Sequence, residues 1–109
     1  MKRTRPYSPL ALEAGRLLGA QVAAARRERR WTLDELAERV GVTRTTMSKV
    51  ERGDLTVGLG VAFEAAALLG VPLFSDDDNR RRAEAARIDD RLTVLPRSVR
   101  KPRQVDDDF

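Results

Sequence analysis

Between Arg44 and Arg52 the chain reads Arg-Thr-Thr-Met-Ser-Lys-Val-Glu-Arg, and its polar residues recur at helical spacing. At about 100° per residue, Arg44, Thr45, Ser48, Lys49 and Arg52 fall within one arc of about 140°, while Thr46, Met47 and Val50 fall on the other side. A helix of this kind packs by one flank and offers cations and hydroxyls on the other. The chemistry open to that flank is anion and base recognition. An arginine fork matches phosphate oxygens and the O6/N7 edge of guanine, and lysine supplies a point charge. Arg44 has the geometry for the guanine contact. An ordinary surface helix divides its residues in the same way, so the reading depends on what surrounds the segment.

Catalytic chemistry is poorly served. The 109 residues include no cysteine and no histidine, which removes disulfides, thiolate zinc sites, Cys/His nucleophiles and the commonest general base together. The chain is expected to be neither an enzyme nor a carrier of metal or cofactor, and to work in a reducing cytoplasm. No run approaches the roughly 18 apolar residues of a membrane span, and Met1 to Pro6 lack the apolar stretch of a secretory signal. Lys+Arg is 21 against 17 Asp+Glu, with a net charge of +4 and a pI near 10.3. Residues 1–75 carry 12 basic and 8 acidic side chains, whereas residues 76–109 carry 9 of each. Eighteen of the basic residues are arginine. A basic excess confined to the part that can build a core is the footprint of a nucleic-acid binder.

The elements that would position the cationic flank are helices, with no alternating strand pattern before residue 92. Ser8 followed by Pro9 reads as the cap and first position of a helix running to about Arg30, loosened at Gly15 and Gly19 at about 1 kcal/mol each. Its inward face is Leu18, Val22 and Ala25. Thr32 caps a second helix with Leu36, Ala37 and Val40 inward, and Thr43 caps a third. Gly41, Gly53 and Gly70 close successive helical segments. A fourth helix runs from about Thr56 or Gly58 to Leu69, with Leu59, Ala62, Phe63, Ala66 and Leu69 as its stripe. Asp76-Asp77-Asp78 opens a fifth, to about Leu92, with a thin apolar side of Ala85, Ile88 and Leu92. Beyond it, Pro96 and Pro102 lead into an extended or disordered end.

A short helix, a Gly41-Val42-Thr43 turn and a second short helix between Thr32 and Gly53 have helix-turn-helix spacing, in which the second helix enters the major groove. The string from Trp31 through Glu-Leu-Ala (35–37), Gly-Val-Thr (41–43) and Ser-Lys-Val-Glu-Arg-Gly (48–53), continuing to Ala-Leu-Leu-Gly-Val71, resembles the lambda repressor/Cro-like (XRE) regulators over about residues 20–74. The resemblance implies an all-α, five-helix DNA-binding domain that docks as a homodimer on a near-palindromic operator. It puts Arg44, Thr45 and Lys49 at base-reading positions, Thr32, Thr43, Ser48 and Arg52 near phosphates, and a structural salt bridge between Arg26 and Glu51. Leu33 stands where the family usually has a phosphate-gripping glutamine, which leaves that anchor open. Three segments follow: an arm and helix extension (1–19), the helix-turn-helix domain (20–74, with the motif at 32–53) and a tail (75–109).

The tail, Arg80 to Leu95 and then Pro96 to Phe109, resembles the extension of HipB-like antitoxins, which implies that it binds a HipA-type serine/threonine kinase toxin. Leu95, Pro96, Arg97, Val99, Arg100 and Lys101 are the residues expected to dock. Two alternatives stand beside this: a stand-alone XRE regulator with no toxin, and a helical interaction module that has lost DNA binding, for which Leu33 is the hint. Smaller features have plainer readings. Trp31 is expected as a lid on the core, and the Asp76–Asp78 and Asp106–Asp108 triplets as caps and tail rather than a metal site. Arg26 to Arg30 is open between phosphate contact and a helix C-terminus that favours cations. Lys2 to Arg5 is open between a minor-groove arm and a disordered end, and Arg80 to Arg82 between a partner and solvent.

Overall fold

The structure, a computed structural model, describes residues 6–102. The arm residues Lys2 to Arg5 and the Asp106–Asp108 triplet lie outside that range. Five helices and no strand are present among the described residues: α1 (Pro9–Glu28), α2 (Leu33–Val40), α3 (Arg44–Glu51), α4 (Leu59–Leu68) and α5 (Asp78–Val94). The expected all-α fold is what forms. The chain divides into two units between Asp76 and Asp77.

In the first unit each helix start is written in the chain. Ser8 Oγ accepts from the Ala11 amide at 3.2 Å, and Pro9, which has no N–H to leave unpaired, follows it. Thr32 and Glu35 form a reciprocal capping box, and Thr43 Oγ1 accepts from the Thr46 amide at 3.1 Å. Helix ends are equally local. Gly41 at φ +88° turns the chain out of α2, and the Val42 amide reaches back to the Ala37 carbonyl at 3.0 Å. The end of α1 falls two residues short of the expected Arg30. Arg30 itself takes the left-handed conformation at φ +59°, and the Trp31 amide donates to the Arg26 carbonyl at 3.1 Å. This is the stop that glycine makes elsewhere, built without a glycine, and so it left no mark in the sequence.

The core gathers Val22 from α1, Leu36 and Ala37 from α2, Met47 and Val50 from α3, and Ala65, Ala66, Leu69 and Val71 from α4 and its end. Leu18, Ala25 and Val40 pack against it half-buried, and Trp31 closes its edge. The Trp31 ring carries the Arg39 guanidinium over it, 4.1 Å from the centroid, with Arg29 at 5.5 Å. On α4 the expected stripe needs correction. Leu59 is 68% exposed, and the buried face is Ala65, Ala66 and Leu69. Nearly every residue of α4 is apolar, so periodicity had little contrast from which to fix its phase.

Gly15 and Gly19 do not loosen α1, which runs unbroken past both; they let α1 meet the end of α3 backbone to backbone. A Cβ on Gly19 would stand 2.5 Å from the Val50 carbonyl oxygen and 2.6 Å from that of Glu51. From the other side, a Cβ on Gly53 would stand 2.7 Å from the backbone of Gly15 and Arg16. Main-chain atoms on both sides cannot swing away, so the crossing is possible only without side chains.

The second unit is one helix and a following segment. Asp77 Oδ1 caps α5, accepting from the amides of Asn79 at 2.9 Å and Arg80 at 3.3 Å. The helix runs two residues past the expected Leu92 to Val94, and no residue of it is buried. Arg81 pairs with Asp78 and Arg87 with Glu84 along its surface.

The crossing predicts opposite outcomes for two glycine-to-alanine changes. Gly19→Ala lowers stability in urea unfolding by about 2–3 kcal/mol because nothing beside the new methyl can relax. Gly60→Ala, on α4 with nothing within 4 Å of the new Cβ, raises it by up to about 1 kcal/mol. Equal effects at the two sites would show that the crossing is not tight.

Candidate nucleic-acid interface

Helix α3 has eight residues, too few to be stable alone in water. Its direction is therefore set by what it packs on. Met47 and Val50 are buried in the core, and Thr46 is half-buried beside them. Opposite lie Arg44, Thr45 and Arg52, all exposed, with Ser48 and Lys49 half-buried at the border. The five residues expected on one arc are thus brought to one flank.

The far end of α3 is locked. Arg26 Nε donates to Glu51 Oε2 at 2.6 Å and Nη2 to Oε1 at 3.0 Å, while Nη1 donates to the Trp31 carbonyl at 2.9 Å. The two side chains are 12% and 11% exposed. The expected pair is therefore present, bidentate, and ties three places: α1, the α1–α2 turn and α3. The hydrogen bonds to Glu51 hold the Arg26 guanidinium above its ordinary pKa, with Coulombic attraction adding to them and burial opposing.

Around the outward flank the polar groups are already organised. Arg52 Nη1 donates to Ser48 Oγ at 2.9 Å, and the Thr43 hydroxyl donates to Thr46 Oγ1 at 3.1 Å while accepting from the Thr46 amide. Arg44 Nε lies 3.7 Å from Asp34 Oδ1 on α2, a contact that sequence reasoning missed; Asp34 had signalled only a favourable first-turn acid. After α3, Asp54 Oδ1 accepts from the Thr56 hydroxyl at 2.6 Å and the Thr56 amide at 2.9 Å. These bonds hold the Asp54 carboxyl below its ordinary pKa, helped by the charges of Lys49 and Arg52. With Thr56 so engaged, α4 starts from Gly58.

The helix N-termini differ in charge. The first turn of α2 carries Asp34 and Glu35, and that of α3 carries no acid. Leu33 packs half-buried against the core. Helix dipoles favour an anion at either terminus, but two carboxylates have already taken that role on α2.

The expected docking residues belong to the second unit. Leu95 ends α5 at 50% exposed, and Pro96, Arg97, Val99, Arg100 and Lys101 follow it, exposed and outside any helix. Of the first Asp triplet, Asp77 caps α5 and Asp78 pairs with Arg81. No three acidic side chains come together to hold a metal ion among the described residues, and none of their helices is long and apolar enough to cross a membrane.

Comparison with known families agrees with this geometry. Residues 22–74 match the family model described as helix-turn-helix, a span from mid-α1 to just past α4. No curated protein matches the chain.

The Arg26–Glu51 lock has a measurable weight. Glu51→Gln and Arg26→Ala each cost about 2–4 kcal/mol in chemical unfolding, because either leaves a mostly buried charge without its partner. The double variant costs clearly less than the sum. Additive losses would mean that the pair is not coupled.

Proposed function

We propose that this chain, whose residues 22–74 form a helix-turn-helix domain of the DNA-binding regulator type, is a sequence-specific repressor that binds a near-palindromic operator as a homodimer. The observation that carries the reading is the division of α3, with Met47 and Val50 in the core and Arg44, Thr45 and Arg52 outward. In the major groove Arg44 reads a guanine edge, and Thr45 and Lys49 reach neighbouring bases. Ser48 and Arg52, joined by their hydrogen bond, address backbone phosphate. Thr43 anchors a second phosphate through the acid-free N-terminus of α3. Thr32 contributes less than the resemblance implies, because Asp34 and Glu35 beside it repel phosphate. The protein acts in the cytoplasm, on the nucleoid.

A second layer of the reading is an antitoxin role. It is favoured by α5, a helix of 17 residues with none buried, whose Ile88, Leu92 and Leu95 are 39%, 60% and 50% exposed at helical spacing. A polar helix with an uncovered apolar stripe is a docking element. With the basic segment Pro96 to Lys101 it serves to hold a HipA-type kinase, leaving the stand-alone regulator as the alternative.

Fluorescence anisotropy on a duplex selected from a randomised pool should give binding that weakens steeply with salt. Arg44→Ala should weaken that duplex by about five- to 150-fold, the equivalent of about 1–3 kcal/mol, and a random duplex much less. An equal loss on both would show that Arg44 does not read bases, and absence of binding would leave only the interaction-module alternative. For the antitoxin layer, removing residues 77–109 should abolish capture of a purified HipA-type kinase encoded beside the gene while DNA binding persists. Capture that survives the deletion would place docking in the first unit.

A further inference from the structure

We infer that Asp34 is the selectivity residue of this interface: it positions Arg44 so that a guanine edge is preferred over a phosphate. The inference rests on the DNA-reading assignment above. Asp34 lies in the first turn of α2 and Arg44 in the first turn of α3, and their contact is the one ion pair between these helices among the described residues. At 3.7 Å from Nε it is an electrostatic contact rather than a hydrogen bond. The closest approach is at Nε, and neither Nη group of Arg44 makes a hydrogen bond among the described residues, so both remain available as donors.

That placement treats the two possible acceptors differently. The O6/N7 edge of guanine is neutral, so Arg44 can keep its carboxylate neighbour while its fork binds the base. A phosphate carries a full negative charge and must approach Asp34 to reach the same fork. The two anions then repel at a separation where surface charges still interact. The pair is 69% and 72% exposed on its two sides, so it adds little to stability and its effect falls on which acceptor Arg44 takes. Asp34 therefore opposes unspecific capture of Arg44 by the backbone and narrows the rotamers from which the arginine reads.

The test compares Asp34→Asn with the parent on the selected duplex and on a random one, across a salt series. Random-duplex affinity should rise about three- to tenfold, and its log–log salt slope should steepen by about 0.9, as one further phosphate is neutralised. Affinity for the selected duplex should rise less, so the specificity ratio falls. Glu38→Gln, an equal charge change one turn further along α2, should leave the ratio within about twofold. The inference is overturned if Asp34→Asn raises both duplexes equally, if Glu38→Gln lowers the ratio as much, or if only the selected duplex loses affinity, which would make Asp34 a base reader. Asp34→Ser, which keeps a residue suited to a helix start, repeats the test should the asparagine variant melt early. A parent protein that does not distinguish the duplexes would instead refute the DNA-reading assignment itself.

Discussion

The position of α3 depends on the bond between Arg26 and Glu51. A helix of two turns has no orientation of its own to offer; burial of Met47 and Val50 fixes which flank faces in, but two apolar contacts without directional bonds do not fix the angle about the helix axis. The bidentate guanidinium at the far end does, because a fork with two donors on two acceptors fixes an angle as well as a distance. The third donor, on the Trp31 carbonyl, ties the same guanidinium to the turn from which α2 departs. One side chain thus relates α1 to the two helices of the motif, and the desolvation this costs is offset because each of its three nitrogens has an acceptor.

The glycine crossing serves the same end by different physics. Gly15, Gly19 and Gly53 let α1 approach the last turn of α3 so closely that Glu51 is delivered to Arg26 without a long reach. The polar lock and the apolar absence are therefore coupled: a methyl at Gly19 pushes on the very carbonyls of Val50 and Glu51 that carry the carboxylate into place. Specific recognition needs its reading side chain held to a fraction of an ångström by the shell behind it, and here that shell is a salt bridge backed by bare main chain.

Much of this was legible in the residues. Caps at Ser8, Thr32 and Thr43, the glycine stop at Gly41 and the inward set Val22, Leu36, Ala37, Met47 and Val50 follow from local chemistry and a clear 3.6-residue period, and they form as expected. The Arg26–Glu51 pair came from resemblance, since 25 residues separate its partners and nothing local links them. What was not legible falls into two kinds. Where a segment lacks contrast, as on the nearly all-apolar α4, periodicity cannot choose a face, and Leu59 reads as inward although it is 68% exposed. Where an effect is tertiary, the sequence shows the wrong sign: Gly15 and Gly19 look like weak points in a helix until the backbone they admit is known, and Asp34 looks like a dipole partner until Arg44 stands beside it.

The two units differ in where their stability comes from, and this bears on how they work. The first holds its helices by a shared core, so the outward flank of α3 is positioned by packing within the unit itself. No residue of helix α5 is buried, and local terms support it, among them the Asp77 cap and two pairs at i,i+3 worth about 0.2–0.5 kcal/mol each. A helix of that length sits near the margin of stability on such terms. Any partner that covers Ile88, Leu92 and Leu95 adds the burial that the unit does not supply for itself, so α5 gains more order from docking than a core-packed helix would. The chain thus joins a unit ordered by its own core to a helix that has an exposed apolar stripe and no buried residue.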